Sequence, residues 1–271
     1  MAVALIAVCC IVAALHILSA LTLDRVIEYT DVPFASPRVP AGLDGYKIAF
    51  ISDIHGLSAR DLERVARRLG EERLDLLAFG GDFPDDKQAM ERAVAVLSKV
   101  GTTDGLYGVE GNHDDGESLF PALERHGVRP LANSGVRVRK HLYIAGVRDR
   151  LRHNADIVAA TAGAGEDDFV LLLAHNPDVT MEQDVHPADL VLCGHTHGGQ
   201  ITLLGLWAPA LTLTRHVTRY GQRFQSGRSA SRDDVPVYVS RGVGSFAPRV
   251  FARPQVVLVT LMSDPERPPV V

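Results

Sequence analysis

An α/β layered sandwich behind an N-terminal membrane helix is the fold class the sequence predicts, on three observations. Residues 2–23 run apolar and carry no formal charge. From residue 46, short apolar runs alternate with amphipathic stretches of helical period and then give way to strand-rich chain. Several predicted strands end in polar clusters holding Asp, Asn or His. The 271 residues are 46% hydrophobic and 23% charged, a globular composition that excludes disordered and fibrous chains.

As a helix, residues 2–23 reach roughly 33 Å at 1.5 Å per residue, enough to cross a bilayer core of about 30 Å. A cleaved signal peptide competes, with Ser19-Ala20 offering small residues for cleavage. Against it, no Lys or Arg opens the stretch, which also exceeds a signal core. Arg25 and Arg38 follow the span, so the positive-inside rule places the remaining chain in the cytoplasm. Residues 24–45 hold Pro33, Pro37, Pro40, Gly42 and Gly45 without a sustained period and are expected to form a linker.

The folded domain is expected over 46–262, followed by a flexible tail at 263–271. Residues 46–52, 74–79 and 106–109 read as buried strands, alternating with helices at 57–69, 87–100 and 118–126. Leu62, Val65, Ala66 and Leu69 mark the apolar face of the first of these helices. Further strands are expected at 136–138, 141–145, 169–174, 190–193, 235–240 and 254–261, with one helix near 155–161. Residues 201–213, rich in leucine, read either as a β-hairpin packing into the core or as an apolar lip at the membrane.

Charge narrows the classes of partner. With 28 basic against 33 acidic residues the net charge is −5, and the densest basic run, at 137–140, alternates with valine like a strand. A nucleic-acid polymer, which needs a basic stripe, is excluded. Cys9, Cys10 and Cys193 cannot make the spaced framework of a disulfide scaffold. Cys193 reads as a small apolar strand residue.

The post-strand clusters carry the chemistry. They are 52–56 with Asp53 and His55, 80–85 with Asp82 and Asp85, 110–114 with Asn112, His113 and Asp114, 174–178 with His175, and 193–200 with His195 and His197. Ligands bind beyond the carboxyl ends of strands in α/β sheets, so these loops converge on one edge. Alone, an Asp-x-His pair is usually a turn or a helix cap. Yet five of the 11 histidines fall in these loops. The other six, His16, His126, His141, His153, His186 and His216, read as surface or core residues. His195 and His197 lie two apart on extended chain, so they can serve two metal ions, with Gly194, Gly198 and Gly199 permitting close approach. Donors from Asp, His and an Asn carbonyl, without thiolate, suit Mn²⁺, Fe or catalytic Zn²⁺ rather than structural zinc.

The ordered set Asp53-x-His55, Gly81-Asp82, Gly111-Asn112-His113-Asp114, His175 and Gly194-His195-x-His197 resembles the calcineurin-like metallophosphoesterase superfamily. The string from Gly194 to Gln200 is similar to its membrane-anchored bacterial branch of YkuE type, related to UDP-2,3-diacylglucosamine hydrolases. Asn133, Gly146, Asp149 and Arg249 extend the likeness. Two positions depart from the family pattern: Pro254-Gln255-Val256 replaces Pro-Glu-Ile, and Gly146-Val147-Arg148-Asp149 replaces Gly-x-Asp-Asp.

The resemblance implies a four-layer αββα sandwich and a two-metal hydrolase. One divalent ion, Mn²⁺ in first place with Fe or Zn²⁺ as alternatives, would be held by Asp53, His55, Asp82 and His197. The other would be held by Asp82, Asn112, His175 and His195, with Asp82 bridging. His113 would contact phosphate and protonate the leaving oxygen, oriented by Asp85 or Asp114. Two such ions and two carboxylates leave a net positive cavity suited to phosphate, attacked by a metal-bound hydroxide. Arg215, Arg219, Arg241 and Arg249 are candidates for a second phosphate or an anionic headgroup. The implied substrate is a phosphoester or pyrophosphate in a lipid-linked molecule, UDP-2,3-diacylglucosamine or a phospholipid. A phosphodiesterase of soluble nucleotides is the alternative, and a non-catalytic binding protein a third reading.

Overall fold

A computed structural model describes residues 1–244 and 248–264. Its elements are α1 (Ala2–Leu21), β1 (Glu28–Ser36), β2 (Lys47–Ile51), α2 (Ala59–Gly70), β3 (Leu76–Phe79), α3 (Lys87–Leu97), β4 (Leu106–Gly108), α4 (Gly116–Arg125), β5 (Val128–Pro130) and β6 (Ser134–Arg139). There follow β7 (Leu142–Gly146), α5 (Ile157–Thr161), β8 (Phe169–Leu173), α6 (Val179–Glu182), β9 (Leu190–Cys193), α7 (Pro209–Leu213), β10 (Gly227–Ala230), β11 (Pro236–Val239) and β12 (Gln255–Ser263).

Two six-stranded sheets form, in the orders β1-β12-β2-β3-β4-β5 and β10-β11-β9-β8-β7-β6. Between them lies a core that includes Ile48, Phe50 and Leu76 from one sheet and Ile144, Phe169 and Leu171 from the other. Outside the first sheet, Ile51, Leu77 and Phe79 meet Leu62, Val65, Val94 and Leu119 of α2, α3 and α4. Outside the second, Ala145, Val170 and Val191 meet Ile157, Ala160 and Val179 of α5 and α6. The layers run helix, sheet, sheet, helix, the four-layer sandwich the resemblance implies. Strands with both faces covered must be apolar throughout, which is why β2, β3, β8 and β9 read as continuous apolar runs.

Helix starts follow local chemistry. Ser58, Asp86 and Asp115 cap α2, α3 and α4, each side chain accepting an amide from the first turn. The periodic stretch at 57–69 becomes α2 and buries Leu62, Val65 and Leu69.

Two expectations are corrected. Residues 28–36, expected within a linker, form β1, which pairs in parallel with β12 from Glu28↔Gln255 to Ser36↔Ser263. Val32 and Phe34 point into the core, and as an edge strand β1 tolerates Pro33, which donates no amide. Residues 201–213 do not pack into the core as a hairpin. They make a tight turn closed by Leu203↔Trp207 and then the short α7, leaving Leu206 and Leu213 82% and 74% exposed. Of the tail expected over 263–271, Ser263 ends β12, and residues 265–271 lie outside the described part.

α1 is 20 residues long, apolar and almost wholly exposed, long enough to cross a membrane. It ends in a polar clamp. The buried Asp24 carboxylate accepts from Ser19 Oγ at 2.7 Å and from the amides of Phe251 and Ala252 at 2.8 and 3.1 Å.

Candidate metal centre

Parallel strands deliver their following loops to one edge, and the predicted polar clusters meet there. β2 leads into Asp53 and His55, β3 into Asp82, β4 into Asn112, β8 into His175 and β9 into His195 and His197. Donor atoms of Asp53, His55 and His197 lie within 4.8 Å of one another, as do those of Asp82, His175 and His195.

Four of these residues adopt left-handed backbone: Asp53 (φ 53°), Asp82 (φ 56°), His195 (φ 73°) and His197 (φ 52°). Such conformations cost of order 1–3 kcal/mol each and persist where the surroundings impose them. Close backbone approach is part of that surround. A Cβ on Gly111 would sit 2.2 Å from Asp82 Oδ1, and one on Gly194 2.5 Å from Asp53 Oδ2.

Partners outside the cavity orient the histidines. His175 Nδ1 lies 2.7 Å from the Gly80 carbonyl, leaving Nε2 facing Asp82 Oδ2 at 3.2 Å and Asn112 Oδ1 at 3.1 Å. His195 Nε2 lies 2.7 Å from the Val217 carbonyl, so its Nδ1 is the inward nitrogen. His197 Nε2 faces Asp53 Oδ1 at 3.5 Å, and His55 Nε2 faces Asp82 Oδ2 at 3.6 Å. Thr218, whose hydroxyl donates to the buried Asp178, holds the segment that presents Val217.

The electrostatics of three of the four histidines fit cation ligation. Burial pushes His55 and His195 below the ordinary histidine range and takes His197 down to about 4, with Arg249 adding to the last. These rings are neutral, as ligands must be. His175 alone is raised, to about 10: burial opposes the shift, and the Asp82 charge and hydrogen bond overcome it. Asp53 is held low despite burial by His197 and His175. Two buried carboxylates inside a ring of imidazoles, with an Asn carbonyl beside them, form a donor set that fits two hard-to-borderline divalent cations.

The remaining predicted residues divide. His113 stands at the rim, 44% exposed, its ring 5.3 Å from that of His55. Asp85 Oδ1 lies 3.7 Å from His113 Nδ1, an ion-pair approach. Asp114 is engaged by backbone amides. Its buried carboxylate accepts from the amides of Gly111 (2.7 Å), Asp82 (2.8 Å) and Phe83 (2.9 Å), stitching two of the site loops together.

Among the four arginines, only Arg215 is exposed and unengaged among the contacts described. Arg249 is buried: Nη1 donates to the carbonyls of His197 and Ala252, and Nη2 lies 3.2 Å from His197 Nδ1. It is a brace, unavailable to a headgroup. Arg241 is tied to Glu28 and to the Arg253 carbonyl, and Arg219 to Glu182.

The departures from the family pattern have structural uses. Arg148 neutralises the fully buried Glu110 at 2.9 Å, and Gln255 bonds Thr30 and Tyr238, joining the sheets. Asn133 Oδ1 accepts from the amides of Arg148 and Asp156, and Asp149 Oδ1 from those of Leu151 and Arg152. One contact was not foreseen: Arg152 Nε donates to the Asn112 carbonyl at 2.6 Å. No motif marks it, because it acts on backbone.

A cavity of about 660 Å³ opens over the centre. Asp82, Asn112, His195 and His197 form its polar floor, His113 stands at its rim, and Leu151, Ile201, Pro209, Ala210 and Leu211 contribute an apolar wall.

The calcineurin-like phosphoesterase family matches residues 46–199. The chain is 30% identical to the metallophosphoesterase YkuE of Bacillus subtilis over 255 residues, covering 88% of this chain and 87% of that one. It is 27% identical to phosphodiesterase YaeI of Escherichia coli, covering 80% of this chain and 82% of that one. A transmembrane protein with metallophosphoesterase domain from Danio rerio is 27% identical, covering 86% of this chain but 57% of its own length. One crystal structure, 10% identical, superposes with a TM-score of 0.50 over 74% of this chain and 91% of that one, a likeness of fold alone.

Proposed function

Because this chain belongs to the calcineurin-like phosphoesterase family, we propose that it is a membrane-anchored, two-metal hydrolase of phosphoester or pyrophosphate bonds in a lipid-associated substrate. UDP-2,3-diacylglucosamine and phospholipids are the first candidates. The observation that carries this reading is the pair of three-donor clusters sharing one cavity with His113 and an apolar wall.

Asp53, His55, Asp82 and His197 would hold one divalent cation, and Asp82, Asn112, His175 and His195 would hold the other, with Mn²⁺ the first candidate. When bound, the two ions supply positive charge for the phosphate oxygens and lower the pKa of water toward 7. His113, at the rim above Asp82, hands a proton to the leaving oxygen, and Asp85 orients its ring. The wall of Leu151, Ile201, Pro209, Ala210 and Leu211 takes an acyl chain out of water, worth about 0.8 kcal/mol per buried methylene. On this reading α1 is the anchor, and Arg25 and Arg38, counted by the positive-inside rule, favour a cytoplasmic domain.

The test is turnover of a chromogenic phosphodiester, UDP-diacylglucosamine and phospholipid vesicles by folded protein loaded with Mn²⁺. Hydrolysis of at least one, suppressed in His113→Ala, is expected. Metal-loaded, folded protein that turns over none of them contradicts the reading.

A further inference from the structure

We propose that the loop over residues 201–207, with Leu213 beside it, is a membrane-inserting surface that seats the mouth of the cavity in the lipid interface. The occupant of this apolar face is the bilayer itself. The inference rests on α1 crossing the membrane, and not on the reaction.

Continuity with α1 is the first support. His16 lies five residues before the end of α1, at Leu21. At 1.5 Å per residue that is about 7.5 Å back along the helix axis, inside the hydrocarbon edge if α1 spans it. At this level α1 touches the loop: His16 Nε2 lies 3.2 Å from the Thr202 carbonyl, and its ring packs edge-on against Phe251 at 5.0 Å. The Asp24 clamp fixes that relation, since it binds the amides of Phe251 and Ala252. A loop tied to α1 there sits within the ~5–10 Å that interfacial elements penetrate.

Chemistry is the second support. Residues 198–214 contain no charged side chain. Ile201, Leu203, Leu206 and Leu213 are 50%, 48%, 82% and 74% exposed, an apolar patch that costs free energy in water. Trp207, 39% exposed, turns its indole N–H to Thr212 Oγ1 at 3.0 Å, the amphipathic residue favoured at lipid interfaces.

Most of the loop's amides are satisfied within the protein as well. Amides exposed to hydrocarbon need partners within the protein. Those of Thr202, Leu203, Gly205, Leu206 and Ala208 donate to Val250, Trp207, Thr202 Oγ1, Leu203 and Gln222 Oε1.

Trp207 is the one tryptophan of the chain, so its fluorescence reads the loop directly. The 271-residue chain is reconstituted into phosphatidylcholine–phosphatidylglycerol vesicles, with and without bromine on the upper acyl chains. At shallow insertion the Trp207 emission should lose roughly half its intensity to brominated lipid, and aqueous iodide should leave it nearly unchanged. Leu206→Glu should reverse both effects while leaving turnover of a soluble chromogenic substrate unaltered. Emission indifferent to bromolipid and quenched by iodide overturns the proposal. A Trp207→Phe chain carrying Ile6→Trp separates the causes: quenching of that probe but not of Trp207 rejects the loop alone, and quenching of neither rejects the span along with it.

Discussion

Oδ2 of Asp82 lies 3.2 Å from Nε2 of His175 and 3.6 Å from Nε2 of His55, so one carboxylate oxygen faces both histidine clusters. If that oxygen is shared between two cations, its loss disturbs both positions. Replacing a residue that merely supports a ligand costs 10–100-fold in metal affinity. Asp82→Ala should therefore lower the affinity for both ions by more than about 100-fold, measured by metal titration of the purified protein. Loss of one ion with the other retained at full affinity would show that Asp82 serves a single position.

His113 faces the cavity from its rim without belonging to either donor cluster. His113→Ala should keep the metal content of the parent chain and slow turnover by roughly 10²–10⁴-fold, the usual range for a general acid. The deficit should shrink for a substrate whose leaving group is a stable phenolate, because such a group needs no proton. An equal deficit for alkoxide and phenolate leaving groups would remove His113 from proton transfer.

Asp114 ties two of the site loops together through three buried amides. Asp114→Ala strands three buried amides, each worth about 1–3 kcal/mol when left unpaired. A destabilisation on the order of 3 kcal/mol is expected in urea unfolding, with Asp114→Asn recovering part of it through its remaining carbonyl. Wild-type stability in the alanine variant would show that these amides find other partners.

The ion pair of Arg137 with Asp168 tests a charge far from the centre. The hydrogen bond from Arg137 holds the Asp168 carboxyl below the ordinary range, with the Gly165 amide helping and burial opposing. A carboxyl depressed in the folded state contributes stability that is fully present above its unfolded pKa of about 3.9 and is lost as pH falls through the folded value. The stability difference between the parent chain and Arg137→Met should therefore be flat near neutrality and shrink below about pH 4. Unfolding curves between those limits check it, and a difference that does not change with pH contradicts it.

Much of this molecule is legible in its sequence where period and position agree. Apolar strands flanked by amphipathic helices, as at 46–126, carry their period locally, and each polar cluster after a strand announces a loop at the sheet edge. β1 escapes such reading because only Val32 and Phe34 mark its inward face and its partner, β12, lies more than two hundred residues away. β10, Gly-Arg-Ser-Ala, has no apolar pattern at all. In the centre, the side chains of the donor set are visible as motifs. Their supports are not: Val217 and Gly80 act through carbonyl oxygens, which every residue possesses. Asp24 likewise looks like a charge after a membrane helix, and only the fold shows it gripping the chain at Phe251 and Ala252.

On the proposed reading, two cations bind side by side in this cavity. Anomalous diffraction from a crystal grown with Mn²⁺ would locate them. Two peaks about 3.5–4 Å apart are predicted, one touching Asp53, His55 and His197, the other Asn112, His175 and His195, with Asp82 between them. A single peak, or none within reach of these side chains, would contradict it.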